Sequence, residues 1–106
     1  MGGFVPLGYD VRDRKLVVND AEAVLVRRIF QGFAELESCT KLVRVLRAEG
    51  ATTKRGKPMN KSDVYRILTN RVFLGEAVHK DNSYPGEHNA IITQAQWDAV
   101  QAILKI

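Results

Sequence analysis

Apolar residues recur at helical spacing in four stretches of this 106-residue chain. The first stretch begins at Asn19, which can cap a helix, and Glu22 stands three residues later, at the spacing of a capping box. We predict that this helix runs to about Leu36, with an apolar stripe that faces a core. The stripe consists of Val26, Ile29, Phe30 and Phe33.

A second amphipathic stretch follows almost at once. Ser38 can cap its start, and the pattern continues through Glu49. Gly50 stands where a left-handed residue commonly ends a helix. The positions predicted to face inward are Leu42, Val43 and Leu46.

The third stretch is short and polar on one side. It is preceded by the segment 51–59, in which threonine, glycine and proline predict a loop. Asn60 can cap the helix that follows, and Asn70 is expected to stop it. The inward positions of this helix are Val64, Ile67 and Leu68.

Shorter patterns at the two ends of the chain predict strands. Segments 8–11 and 15–18 flank the polar residues 12–14, which suggests an N-terminal β-hairpin. Segment 76–80 alternates weakly, and the apolar end of segment 88–92 suggests a second strand beyond a turn-rich connection.

The last stretch begins at Thr93, with Gln96 at capping-box spacing. Its apolar face contains Trp97, Val100, Ile103 and Leu104. Together the elements predict an α+β fold, one mainly helical domain over residues 1–106. It contains a helix-turn-helix variant, an N-terminal β-hairpin and a small second hairpin.

Composition narrows the class of protein. A hydrophobic content of 45% and a charged content of 26% are typical of a folded protein. No apolar run reaches the roughly 18 residues of a membrane span, and the N-terminus does not have the pattern of a secretory signal. Cys39 is the single cysteine, so no internal disulfide and no cysteine zinc cluster is expected, and a cytoplasmic location fits best.

Basic charge is concentrated around the third helix. Residues 41–71 contain nine basic and two acidic side chains, a balance of +7, whereas the remainder has seven basic and ten acidic ones, a balance of −3. A solvated surface is the ordinary explanation of such residues. Their segregation into one segment favours contact with a polyanion.

Two adjacent helices with a polar-faced second member describe a helix-turn-helix, although its nine-residue loop is longer than usual. On duplex DNA we expect Ser62, Asp63 and Arg66 to reach base edges from the start of the third helix. An acid in the first turn also favours the helix dipole, which is the alternative role of Asp63. Asn60 and Tyr65 can serve bases or phosphates.

The cations of the loop and of the flanking positions are assigned to phosphates, because flexible cations position a protein without reading sequence. The predicted DNA-binding residues are Lys54, Arg55, Lys57, Asn60, Lys61, Ser62, Asp63, Arg66 and Arg71.

Three alternatives remain open from the residues alone. The chain could be a winged-helix-like transcriptional regulator, or a protein-interaction module that docks through the helix around Trp97. It could also be a hydrolase with a metal held by His79 and His88, with Asp81 and Glu87 nearby. The nine-residue spacing of the histidines is wide for a ligand pair on one element. No nucleophile elbow or glycine-rich phosphate loop is present, and we predict no cofactor and no metal.

Several motifs occur in one order along nearly the whole chain, and in that order they resemble the recombinase domain of the large serine recombinases. They are Pro6-Leu-Gly-Tyr9, Leu16-Val-Val-Asn19, Arg27-Arg-Ile-Phe30, Arg55-Gly-Lys-Pro58, Val64-Tyr-Arg-Ile-Leu68, Asn70, Gly75-Glu76, Tyr84-Pro-Gly-Glu-His88, Ile91-Ile92 and Trp97. The chain departs from the usual family pattern at Met59, Arg71, Phe73 and Ala90, where tryptophan, proline, tyrosine and proline are common.

The resemblance implies a non-catalytic portion of a site-specific recombinase that binds duplex DNA at an attachment site during integration. It implies that the catalytic serine belongs to a resolvase-like domain, and that a zinc-ribbon domain usually follows. Both would be absent here and would act as partners of this portion, which we expect to be monomeric and zinc-free.

Overall fold

Four α-helices and two separate antiparallel hairpins form the fold, which confirms the prediction of an α+β, mainly helical architecture. The computed structural model describes residues 5–13, 15–79, 82–85 and 88–104, with only the backbone described at 77–79 and 82–85. The elements are β1 (Tyr9–Arg12), β2 (Lys15–Val18), α1 (Asp20–Leu36), α2 (Cys39–Ala48), α3 (Lys61–Leu68), a 3-10 turn (Arg71–Leu74), β3 (Glu76–His79), β4 (Asn82–Pro85) and α4 (Gln94–Leu104).

The predicted helix starts are confirmed by their capping bonds. The side chains of Asn19, Ser38 and Asn60 accept hydrogen bonds from the backbone three residues further on, which satisfies an amide that the helix leaves free. Thr93 and Gln96 form the predicted reciprocal pair at the start of α4. Local spacing alone therefore located all four starts.

The capping box predicted at Glu22 is wrong in its second half. The amide of Asn19 donates instead to the Gly8 carbonyl oxygen at 2.8 Å. The Glu22 carboxylate accepts from the Gly8 amide at 3.0 Å and from the Lys54 ammonium at 2.6 Å. Gly8, in the turn before β1, thus bonds both to the Asn19 amide and to the Glu22 carboxylate, because the fold places its backbone amide and carbonyl at the start of α1.

The predicted first hairpin is confirmed, with Tyr9 opposite Val18. Arg12, which was predicted in the turn, belongs to β1 and pairs with Lys15, and Arg14 of the predicted turn lies outside the described residues. The second hairpin corrects the prediction of a strand over 88–92. The partner of β3 is β4, with Glu76 opposite Pro85.

Residues 88–92 form no strand in the structure. The amides of Ile91 and Ile92 both donate to the Phe73 carbonyl oxygen, at 2.9 and 3.1 Å. Both side chains are buried, at 4% exposure each. Ile91 and Ile92 therefore pack in the hydrophobic core. The apolar pattern that suggested a strand reflects burial of these side chains and not strand pairing.

A chain of aromatic rings crosses the core from β1 to α4. Tyr9 stacks with Phe73 at 6.1 Å between centroids, Phe73 meets Phe30 edge-on at 6.0 Å, and Phe30 lies 6.2 Å from Trp97. Trp97 is 5% exposed. The hypothesis that the Trp97 face of α4 docks a protein partner is therefore wrong, because that face packs inside this chain.

Helix α3 is held at both ends. At its start, Met59 is fully buried and its carbonyl oxygen accepts from Arg47 Nε on α2 at 2.7 Å. At its end, the Leu68 carbonyl oxygen accepts from Gln101 Nε2 on α4 at 2.6 Å. Phe73, in the 3-10 turn that follows, anchors the next residues in the core. These contacts fix α3 against the other helices while one of its sides stays exposed.

The Tyr9 hydroxyl gives a testable contribution to stability. It donates to the Asn89 carbonyl oxygen at 2.6 Å, and burial raises the pKa of Tyr9 to about 12. Tyr9→Phe should lower the free energy of unfolding by about 1 kcal/mol, the net value of a typical hydrogen bond. Urea titrations followed by circular dichroism measure the difference.

The raised pKa of Tyr9 also sets a pH dependence. The stabilisation is fully present below the ordinary tyrosine pKa of about 10 and is lost as the pH rises through the folded-state value of about 12. The stability gap between the native protein and Tyr9→Phe should therefore shrink across this range. A gap that is constant up to pH 12 would contradict the assignment.

Candidate nucleic-acid interface

One side of α3 is exposed along its whole length. It borders a shallow groove of about 550 Å³ beside the start of α2. The groove is lined by Cys39, Lys61, Ser62, Tyr65, Arg66 and Thr69. These α3 positions recur at helical spacing, opposite the buried Val64 and Leu68, so the predicted division of α3 into a docked and a free face is confirmed.

The cations on and before this face are available to a ligand. In the part of the chain that the structure describes, the side chains of Lys57, Lys61 and Arg66 have no hydrogen-bond or ion-pair partner. Tyr65 is 54% exposed. The Tyr65 ring therefore faces solvent beside Arg66.

Asn60 and Asp63 form a capping box, of which only the Asn60 cap was predicted from the sequence. Asn60 Oδ1 accepts from the Asp63 amide at 2.9 Å, and Asp63 Oδ2 accepts from the Asn60 amide at 3.2 Å. The Asn-x-x-Asp spacing was a sufficient signal for this pair. The alternative role of Asp63 at the helix start is thus realised, while base contacts by either side chain stay a prediction.

The loop before α3 is an ordered turn. Thr52 bridges to Pro58, and the Thr53 amide donates to the Lys57 carbonyl oxygen at 2.8 Å. Gly56, with φ of +81°, closes the turn in the left-handed region that glycine tolerates. Arg55 and Lys57 are exposed at this turn, beside the start of α3.

Lys54 differs from the other cations of the loop. Its ammonium donates to the Tyr9 carbonyl oxygen at 2.7 Å, to Glu22 Oε1 at 2.6 Å and to Asp10 Oδ1 at 3.3 Å. Three donors and three acceptors leave no free proton on the ammonium. Lys54 thereby ties the loop to β1 and α1, and its predicted phosphate contact would require these bonds to break.

Arg71 is also engaged within the chain. Its guanidinium pairs with the Glu76 carboxylate through two bonds of 3.0 Å and lies over the Trp97 ring, 5.4 Å from the centroid. The hydrogen bond with Glu76 raises the pKa of Arg71. The guanidinium is held against α4, and the phosphate contact that the sequence suggested for Arg71 stays a prediction.

A second groove, of about 440 Å³, separates α2 from the start of α3. Arg44 and Arg47 border it on the α2 side, and Lys61 and Ser62 on the α3 side. Arg44 was not among the predicted contact residues. The spacing of Arg44 and Arg47 could have indicated it, because residues three apart share one side of a helix.

The metal-site hypothesis gains no support from the described residues. His88 Nε2 lies 2.8 Å from the Val72 carbonyl oxygen and so donates to it. Among the residues that the structure describes, no cluster of three or more metal-ligating side chains occurs. The side chain of His79, together with Asp81 and Glu87, lies outside them. No helix of the described chain has the length and apolar character to cross a membrane.

Comparisons with known proteins agree with this geometry. A family model described as "Recombinase" matches residues 20–106. Comparison with curated protein sequences gives no match. Among solved structures, a chain of the "Crystal Structure of a LSR-DNA Complex", where LSR stands for large serine recombinase, superposes with a TM-score of 0.85 at 31% identity over 99% of this chain.

A second solved structure, described as "Sequence Requirements of the Listeria innocua prophage attP site", gives a TM-score of 0.83 at 34% identity over 93% of this chain. The chain spans only 33% and 41% of these two proteins. The order of motifs, the fold and the family match agree, and we conclude that this chain belongs to the recombinase family and is similar to the recombinase domain of the large serine recombinases.

Proposed function

We propose that this chain binds duplex DNA at an attachment site, with α3 in the major groove. The observation that carries the proposal is the exposed side of α3, on which Lys61, Ser62 and Arg66 extend from a helix clamped at both ends. The major groove of B-DNA admits an α-helix. The similar structures described as a recombinase–DNA complex and as a study of a prophage attP site support the same partner.

The side chains of this surface divide by chemistry. Arg66 suits guanine, because its guanidinium can donate to the N7 and O6 atoms together, and Ser62 can accept from or donate to several bases. Lys57 and Lys61 suit phosphates, where a flexible ammonium adds affinity without reading sequence. Arg55 has the same role from the loop. Arg66 is therefore the main specificity residue of the proposal.

The chemistry of strand exchange belongs elsewhere in this proposal. We infer that a resolvase-like domain of a longer recombinase supplies the catalytic serine, and that a zinc-ribbon domain adds further DNA contacts. The similar structures are two to three times longer than the matched segment, which supports this division. This chain then contributes target recognition and no bond cleavage.

Selection from a randomised duplex library tests the proposal. The native protein should enrich a preferred sequence. Arg66→Ala should relax the preference at one base pair by roughly tenfold, within the 1–3 kcal/mol that a bidentate base contact contributes. Arg12→Ala, an exposed arginine on β1, is the control and should keep the native preference.

Two outcomes would count against the proposal. If the native protein enriches no sequence and its affinity for duplex DNA does not depend on salt, DNA binding by this chain is wrong. If Arg66→Ala keeps the native preference at every position, the assignment of base recognition to Arg66 is wrong.

A further inference from the structure

The groove between α2 and α3 has the composition of an anion site. Arg44 lies on one side and Lys61 on the other, and both side chains are exposed. In the described chain neither forms a hydrogen bond or an ion pair through its side chain. Two cations face each other across one concave surface, and no carboxylate of the described lining residues lies between them. The groove therefore has a positive potential that attracts an anion.

Neutral donors complete this groove, and among the described residues no carboxylate lines it. The Asn60 amide oxygen is used in capping, so its NH₂ group remains as a donor. In the part of the chain that the structure describes, the Ser62 hydroxyl has no hydrogen-bond partner. Val43, half-buried, gives the groove an apolar patch on the α2 side. Cations, neutral donors and one apolar contact suit a sugar-phosphate better than a free carboxylate or a hydrophobic ligand.

Arg47 has a different role at the same place. Its Nε donates to the Met59 carbonyl oxygen at 2.7 Å, which fixes the distance between α2 and the start of α3. The groove width is therefore set by a bond within the protein. Arg44, one turn earlier on α2, has no such bond and can turn toward a ligand.

We propose that this α2–α3 groove binds one backbone phosphodiester of the DNA duplex, with Arg44 and Lys61 gripping it from opposite sides. The inference rests on the proposed function, since it takes α3 to lie in the major groove. In a helix-turn-helix complex the first helix crosses the DNA backbone beside that groove. The planar guanidinium of Arg44 matches phosphate oxygens in pairs, and the Lys61 ammonium adds a point charge.

The salt dependence of DNA binding tests this site. Fluorescence anisotropy with a labelled duplex of mixed sequence measures affinity between about 50 and 200 mM salt. For Arg44→Ala, the slope of log affinity against log salt should be less steep by about 0.9, the value of one lost phosphate contact. Lys41→Ala is the matched control: it removes the same charge from the same helix, but Lys41 does not line the groove.

Arg44→Lys separates the geometry of the contact from its charge. This variant should keep the native slope and bind less tightly than the native protein at every salt concentration, because one ammonium cannot form the paired contact. Lys61→Ala completes the set and should also reduce the slope by about 0.9. Circular dichroism should show all four variants folded, since Arg44, Lys41 and Lys61 are exposed.

The outcomes distinguish the groove from the wider proposal. Equal slopes for Arg44→Ala and Lys41→Ala, with a reduced slope for Lys61→Ala, would overturn the α2–α3 groove and leave α3 as the interface. A native protein without salt-dependent affinity would overturn both.

Discussion

Replacing Phe73 with alanine should lower the free energy of unfolding by about 3–5 kcal/mol, the usual loss for a buried aromatic ring. The ring is 1% exposed and contacts Tyr9 on one side and Phe30 on the other. A cavity at this point would interrupt the aromatic chain that connects β1 with α1. Since small folded proteins have only about 5–15 kcal/mol of stability, a large part of the total would be lost.

Urea unfolding followed by far-UV circular dichroism measures this loss. Val24→Ala provides the control, because Val24 is also apolar but 64% exposed on α1, and its removal should change stability by at most about 0.5 kcal/mol. A loss below about 1.5 kcal/mol for Phe73→Ala would show that the ring is not packed as described.

Lys54→Met should lower the stability of the protein without weakening its contacts to DNA, because Lys54 is bonded within the chain. The substitution keeps the length of the side chain but removes the donor to Tyr9, Asp10 and Glu22. The Glu22 side chain is only 24% exposed, so the loss of its charged partner is poorly compensated by water. We expect a cost of about 1.5–3 kcal/mol in the free energy of unfolding, the range of hydrogen bonds to charged groups.

The same variant should leave the salt slope of DNA binding unchanged, because the Lys54 ammonium is already neutralised within the chain. Lys57→Met is the matched comparison. Lys57 is exposed in the same turn and, among the described residues, has no side-chain partner. Its loss should reduce the slope by about 0.9 with little change in stability. If Lys54→Met reduced the slope and kept stability, Lys54 would be a phosphate contact after all.

Features set by neighbouring residues were predictable from the sequence. The bonds from Asn19, Ser38 and Asn60 to their own helices involve atoms three residues apart, so spacing alone identifies them. Burial of Val64 and Leu68 followed from helical periodicity. The same periodicity predicted the exposed side of α3, which forms the centre of the candidate interface.

Features set by distant residues were not predictable in this way. Asn82–Pro85 is polar and rich in turn formers, and only backbone pairing with β3 makes it a strand. Glu22 was assigned to the adjacent cap, but the chain folds back and offers it Gly8 and Lys54. Each error arose where a contact across the fold replaced a local one.

The loop cations show the same limit at the interface. In the sequence, Lys54 and Lys57 are equivalent, since both are basic residues in a segment of breakers. Their difference comes from Tyr9 and Glu22, which are more than thirty residues away. Charge counting therefore located the basic surface correctly but could not tell which of its members is already neutralised.

The clamping of α3 between Arg47 and Gln101 has a consequence for the thermodynamics of recognition. A helix of eight residues is too short to be stable alone in water. Here its backbone becomes ordered when the protein folds, so a bound duplex need not supply that conformational entropy. The reading surface is preorganised, and the ordering that remains is confined to the long side chains of Lys61 and Arg66.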